Sequence, residues 1–147
     1  MHISVIIPVY NSESTVAFAI ESVLRQDYSS KELIIVDGNS SDGTLDVIGR
    51  YADDIAVLIS EDDSGYADAL NKGIKASSGD FVLMLAADDR LFGKRGLNRA
   101  PCHARAHPVG FVGAGAFVPA RAGIIGFVVH AGQLLRPCRF GLCDFCL

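Results

Sequence analysis

The sequence predicts an α/β fold: a parallel sheet of strand order 3-2-1-4 with helices on both faces, followed by an irregular tail. Three observations predict it. Four short apolar runs, rich in β-branched residues, alternate with three stretches whose apolar residues recur at helical spacing. Turn and cap residues punctuate each change of period. The composition then breaks near Leu91, so the alternating pattern covers only the first part of the 147 residues.

Ile3 to Val9 reads as a buried first strand, with Pro8 where ladder bonding stops. Asn11 and Ser12 offer N-caps for a first helix, in which Val16, Ala19, Ile20, Val23 and Leu24 form one apolar face. Asp27 and Tyr28-Ser29-Ser30 end it. Leu33-Ile34-Ile35-Val36 is the second strand, closed by Asp37-Gly38-Asn39-Ser40. Ser41 and Asp42 can cap a second helix, with Leu45, Ile48 and Ala52 expected to face inward. Ile55 to Ile59 is the third strand. The acidic loop Glu61-Asp62-Asp63-Ser64-Gly65 leads to a third helix carrying Ala67, Leu70 and Ile74, and Phe81 to Leu85 is the fourth strand, ending at Ala86-Ala87-Asp88-Asp89. Helical crossovers between strands imply right-handed parallel connections.

This topology gathers particular side chains at the carboxyl edge of the sheet, where open α/β sheets bind ligands. Strand 1 brings Val9, Tyr10 and Asn11, strand 2 brings Asp37, and strand 4 brings Asp88 and Asp89. The loop after strand 3 adds Glu61, Asp62 and Asp63. Carboxylates in one cleft repel one another, and a hard divalent cation such as Mg2+ or Mn2+ offsets that and ties down an anionic ligand such as a diphosphate. Each residue also has a plainer reading. Asp42 is a helix cap, Asp62 and Asp63 are solvated, Asp37-Gly38 is a turn, and Tyr10 is an edge aromatic covering the core. No GxGxxG follows strand 1 and no GxxxxGK[ST] is present, which excludes dinucleotide and P-loop phosphate sites. The acidic balance, a formal net charge of -4 with no basic stripe, argues against a nucleic-acid partner. A receiver-type signalling module fits poorly, because it would need an acidic pair after strand 1, where Tyr10-Asn11 stand.

Four segments carry a family resemblance. Ser4-Val5-Ile6-Ile7-Pro8-Val9-Tyr10-Asn11 resembles the opening strand of family 2 glycosyltransferases, which have the Rossmann-like GT-A fold. Val36 to Thr44 is similar to that family's second motif and Ser60 to Ile74 to its third. Gly79-Asp80 with Ala87-Asp88-Asp89 resembles the strand leading to its DxD-like metal motif. The resemblance covers about residues 2 to 90 and implies a nucleotide-sugar-binding half-domain. Pro8, Val9 and Tyr10 would then line the base pocket, and Asp37 would hydrogen-bond the base, usually uracil, at its imide edge. Asp63 and Lys72 would surround the nucleotide, Asp88 would hold the ribose or sugar side, and Asp89 would ligate Mn2+ or Mg2+. The implied reaction is inverting transfer from a nucleotide-sugar, a UDP-sugar by this resemblance, to a glycan or lipid-linked acceptor in cell-envelope polysaccharide synthesis. Glu13 stands near an acidic position of the family pattern, with Ser12 intervening.

The remainder breaks from the pattern. Residues 1–90 hold 16 acidic against 6 basic residues, while 91–147 hold 7 basic residues against Asp144 alone. All four Cys and four of the five Pro lie in the second stretch. The expectation is a half-domain over 1–90 and an unrelated tail over 91–147, the composition a shifted reading frame in GC-rich DNA would give. Inverting transfer needs a base to deprotonate the acceptor, and nothing around Asp144 resembles the family's base motif, so the chain reads as truncated and no catalytic residue is assigned. Cys138, Cys143 and Cys146 with His130 form a weak zinc pattern. Val109 to Val129 nearly spans a bilayer in length, against the mid-run Arg121 and Pro119. With no basic n-region before the short Ile3–Val9 run, the expected location is the cytoplasm, at the inner membrane face where the acceptor is lipid-linked. Strand 4 is expected to be an open edge that invites association.

Overall fold

The computed structural model describes residues 2–99 and, beyond them, two short strands at 112–113 and 127–130. The elements run β1 (Ile3–Val9), α1 (Val16–Leu24), β2 (Lys31–Asp37), α2 (Thr44–Gly49), β3 (Val57–Ser60), α3 (Tyr66–Ala76), β4 (Phe81–Met84), β5 (Val112–Gly113) and β6 (Phe127–His130), with 3-10 turns at Ala52–Asp54 and Leu97–Arg99. The order across the sheet is β3-β2-β1-β4-β6-β5. Its first four strands are parallel and in the expected order, with Ile6 of β1 level with Ile34 of β2 and Met84 of β4.

β1 lies at the centre and is buried along its whole length. Because side chains alternate across a strand, its residues divide between two cores. Ile3, Val5, Ile7 and Val9 join Leu33, Ile35, Leu83 and the apolar faces of α1 and α2 on one side. Ile6 meets Ile34, Val36, Val82 and Met84 beneath Ala69, Leu70 and Ile74 of α3 on the other. Helices therefore cover both faces. Each fully buried Ile or Leu contributes roughly 1.5–3 kcal/mol, so the two cores together hold the parallel sheet rigid beneath its carboxyl edge.

Three local expectations are corrected. α2 is rotated from the expected phase: Thr44, Val47 and Ile48 are buried, while Leu45 and Ala52 are exposed. Its first turn starts at Thr44 because Asp42 accepts hydrogen bonds from the Thr44 N–H and hydroxyl, 3.0 and 2.5 Å. Those bonds hold the Asp42 carboxyl below its usual range, the Thr44 hydroxyl contributing most. Asn11 and Ser12 do not cap α1 with their side chains. The Ser12 carbonyl accepts from the Thr15 and Val16 N–H groups, 3.0 and 2.9 Å, while the Ser12 hydroxyl turns back to the Tyr10 carbonyl, 3.0 Å.

The third correction concerns the edge. β4 is not open: β6 pairs with it antiparallel, from Phe81 opposite His130 to Met84 opposite Phe127. Phe127-Val128-Val129 is a short β-prone run inside the otherwise aperiodic tail, enough to satisfy the exposed ladder of β4. Among the described residues no helix is long and apolar enough to cross a membrane. Most of the 109–129 stretch, and the cysteines at 102, 138, 143 and 146, lie outside the described residues.

Candidate functional site

A cleft of about 470 Å³ opens at the carboxyl end of β1. Pro8, Val9 and Tyr10 form its β1 wall, Gly38 its β2 wall, and Asp62, Asp63 and Gly65 the loop wall, with Tyr66 and Ala69 of α3 closing it. The expected base-pocket residues thus do line one cavity, together with Asp63. Tyr10 is 65% exposed, an aromatic face offered to solvent and not a core cover.

Asp37 sits behind this wall and is fully buried. Its carboxylate accepts hydrogen bonds from the Ser40 hydroxyl (2.5 Å), the Ser60 hydroxyl (2.8 Å) and the Ser40 N–H (3.2 Å). The bond from Ser60 ties the end of β2 to the end of β3, and those from Ser40 fold the β2–α2 loop into a turn. That turn presents the Ser40 hydroxyl to the Asn11 N–H, 2.9 Å, and the Ser41 N–H to the Asn11 side chain, 2.9 Å, which holds Asn11 at a φ of 46° directly after Tyr10. Asp37 thereby orders the cleft from behind, and Gly38 is the residue of that strand end that faces it.

At Gly38 the backbone and the Asp63 carboxylate approach closely, and a side chain there would push Asp63 aside. A Cβ there would stand 2.5 Å from Oδ2 of Asp63. Asp63 itself is held by the Gly65 N–H, 2.7 Å, and the neighbouring Asp62 accepts from the Asn39 side chain, 2.9 Å. Lys72 does not line the cleft. Its ammonium bonds the Asp62 carbonyl (2.7 Å) and Glu61 (3.0 Å), with Asp68 at 3.6 Å. The hydrogen bond to Glu61 raises the Lys72 pKa above its ordinary value, helped by the charges of Glu61, Asp68 and Asp63 and opposed by desolvation. It braces the loop wall from the outside.

Asp88 and Asp89 leave β4 in a turn closed by the Asp89 N–H on the Ala86 carbonyl, 3.1 Å. Neither lines the cleft. Partial burial pushes the Tyr66 phenol above its ordinary pKa, and the charges of Asp89 and Asp88 push it the same way. Tyr66 was not singled out from sequence. The available signal was an aromatic directly after Gly65 in the first turn of α3, in helical phase with the buried Ala69, Leu70 and Gly73 yet itself exposed. Glu13 stands elsewhere. Its carboxylate takes the Gly43 N–H, 3.3 Å, and its own N–H donates to Asp42, 3.2 Å, which stitches the β1–α1 and β2–α2 loops together.

Among the described residues no three His, Cys, Asp or Glu side chains come together as a metal cage. What Asp88 and Asp89 offer is an oxygen-only donor pair, a chemistry that suits a hard divalent ion.

The family model described as Glycosyl transferase family 2 matches residues 4–98. WfgD of Escherichia coli, a UDP-Glc:alpha-D-GlcNAc-diphosphoundecaprenol beta-1,3-glucosyltransferase, is 40% identical over 88 residues, covering 59% of this chain and 35% of its own. Among solved structures, Staphylococcus aureus TarS 1-349 in complex with UDP-GlcNAc superposes with a TM-score of 0.66 at 29% identity, over 76% of this chain and 33% of that one. The mannosyltransferase PcManGT of Pyrobaculum calidifontis, in complex with GDP-Man and Mn2+, gives 0.70 at 29% identity, over 76% and 34%. The chain spans about a third of the length of these relatives.

Proposed function

The chain belongs to glycosyl transferase family 2, and from that premise we propose that residues 2–99 are the donor-binding half of a metal-dependent, inverting glycosyltransferase that uses a UDP-sugar. The observation that carries the reading is the cleft at the end of β1, lined by Pro8, Val9, Tyr10 and Asp63, with the Asp88-Asp89 pair following the neighbouring strand β4. Complexes of the similar enzymes with UDP-GlcNAc, and with GDP-Man and Mn2+, support donor and metal class alike.

In this proposal Pro8, Val9 and Tyr10 hold the base, and Asp63 faces the nucleoside across from Gly38. Asp37 accepts from the imide N–H of the base once the Ser40 or Ser60 hydroxyl turns aside. Lys72 keeps the loop wall in place. Asp88 holds the ribose or sugar side, and Asp89 ligates Mn2+ or Mg2+. The chemistry such an ion supplies is Lewis-acid stabilisation of the charge on the departing diphosphate. The acceptor class, glycan or lipid-linked as in WfgD, and a cytoplasmic location at the inner membrane face belong to the same proposal. No base is assigned, because Asp144 is the single carboxylate after Asp89. For this chain alone the proposal is therefore donor binding without transfer.

Calorimetric titration of the full chain tests it. UDP is expected to bind more tightly with Mn2+ than without, whereas uridine, which has no diphosphate, binds alike in both. Asp89→Ala should abolish the Mn2+ effect and spare uridine binding. UDP binding indifferent to Mn2+ in the wild type would sink the donor-site reading, and sugar transfer by the chain alone would sink the non-catalytic part.

A further inference from the structure

The acidic pair is suspended between two fixed points. On one side the Leu85 N–H donates to the Ile6 carbonyl, 3.0 Å, fastening the end of β4 to β1. On the other, the chain that follows Asp89 is fastened to α1. The Leu91 N–H donates to the Ser22 hydroxyl, 3.0 Å, and the Asp27 N–H to the Lys94 carbonyl, 2.8 Å. The Arg90 guanidinium lies 5.2 Å over the Phe18 ring, and Leu97 is buried against the α1 face.

Gln26, two residues past α1 and 4% exposed, is the hub of this attachment. Its Nε2 donates to the carbonyls of Ser22 (3.0 Å) and Gly93 (2.6 Å), and its Oε1 accepts from the Leu97 N–H (3.1 Å). Gly93 takes a φ of 65°, a left-handed conformation in which a side chain would be strained. The distant partners are 67 and 71 residues away in sequence. If the position only had to fill space, an apolar residue would do so without an amide to desolvate. An amide bonded at both ends fixes something a leucine would not, namely the path of residues 91–97. Only residues 86–90 separate the β4 anchor at Leu85 from the α1 anchor at Leu91, so the turn that carries Asp88 and Asp89 has little slack.

We propose that Gln26 is a positioning residue for the metal pair: by strapping residues 91–97 to α1 it sets where Asp88 and Asp89 meet the donor's diphosphate. This rests on the donor-site reading above. It assigns a role at the site to a side chain that touches neither donor nor metal, and it predicts that metal-assisted binding and plain nucleoside binding separate.

The test uses the full chain with Gln26→Met, which keeps the stem length and removes the bonds at both ends, and Gln26→Glu, which keeps the acceptor for Leu97 and loses donation to the Ser22 and Gly93 carbonyls. UDP and uridine are titrated with and without Mn2+, and amide exchange at Leu97 reports release of the strap. Uridine affinity is expected to stay within about twofold while the tightening of UDP by Mn2+ falls about 10-fold in Gln26→Met, and less in Gln26→Glu, as for changes behind a metal ligand. Full Mn2+ tightening with the strap released overturns the proposal, and so does equal loss of UDP and uridine binding. If Gln26→Met does not fold, Ser22→Ala, which frees the Leu91 N–H and otherwise loses only the local bond from the Ser22 hydroxyl to the Ala19 carbonyl, 2.8 Å, is judged by the same titrations. Absence of any Mn2+ effect in the wild type defeats the donor-site reading, and this inference with it. A Mn2+ effect equal in wild type and variants defeats this inference alone.

Discussion

Replacing Asp37 separates what the residue does for the fold from what it does for a ligand. The carboxylate is fully buried and receives two hydroxyls and one N–H. Hydrogen bonds to a charged group contribute about 1.5–3 kcal/mol each, with less than full additivity among neighbours. Asp37→Ala strands those donors, so unfolding free energy should fall by about 4 kcal/mol. At about 4–8 °C per kcal/mol for a domain of this size, the melting temperature should drop by roughly 15–30 °C. Asp37→Asn keeps the shape and one acceptor, and should lose about half as much. Urea unfolding measures this term. Calorimetry with uridine measures the other: if Asp37 accepts from the base, losing its charge should weaken binding about 10-fold. A loss of stability below about 0.5 kcal/mol in Asp37→Ala would refute the clamp. Wild-type uridine affinity in a destabilised Asp37→Asn would refute the base contact and leave Asp37 as a clamp only.

Two further predictions address supports of the fold and the site. Burial alone would push the Glu32 carboxyl up, but hydrogen bonds from Ser4 and Ser78 and the charge of His2 outweigh it, so its pKa lies below the ordinary 4.5. A depressed folded pKa gives stability that is present above the unfolded value and is lost as pH falls through the folded one. Glu32→Gln should therefore cost stability at neutral pH and flatten the fall of the urea midpoint below pH 4.5. An unchanged pH profile would show that the network at this end of the sheet is not what acid titrates. Lys72→Met should loosen the loop wall and weaken uridine and UDP binding alike, about 10-fold, with the Mn2+ effect preserved. Loss confined to UDP would instead place the ammonium on the diphosphate.

The parallel sheet was legible because its strands are buried on both faces, which leaves continuous apolar runs such as Val5-Ile6-Ile7 and Leu33-Ile34-Ile35-Val36. The side of each helix was less legible. α2 has few apolar residues, and its phase is set by the bonds from Thr44 to Asp42, a side-chain interaction that periodicity does not record. β6 escaped notice because four residues in an aperiodic stretch become a strand only when an edge such as β4 is there to receive them. In the site, Val9, Tyr10 and Asp63 follow from the ends of elements, and Pro8 from the family resemblance. Tyr66 and Gln26 were not. One emerges from the first turn of a helix whose visible pattern is its buried face, and the other acts through backbone groups far along the chain, which sequence spacing cannot reveal.

The charges around the cleft argue for why nucleotide and metal should be bound together. Among the described residues the lining includes Asp62 and Asp63 and no Lys or Arg, and the charges of Asp89 and Asp88 act on the Tyr66 phenol in the same direction as its burial. Lys72, the cation nearest the loop wall, is committed to Glu61, Asp68 and the Asp62 carbonyl. A diphosphate approaching this rim meets charges of its own sign, and no glycine-rich loop offers a cradle of N–H groups to offset them. The aromatic and apolar wall from Pro8 to Tyr10 is suited to a base without any cation. On the proposed function, binding should thus divide along the molecule, with the nucleoside held by β1 and α3 and the diphosphate held through the ion that Asp89 would ligate. Such a division follows the supports described here: Asp37 and Lys72 brace the first half from behind, and Gln26 holds the second from across α1.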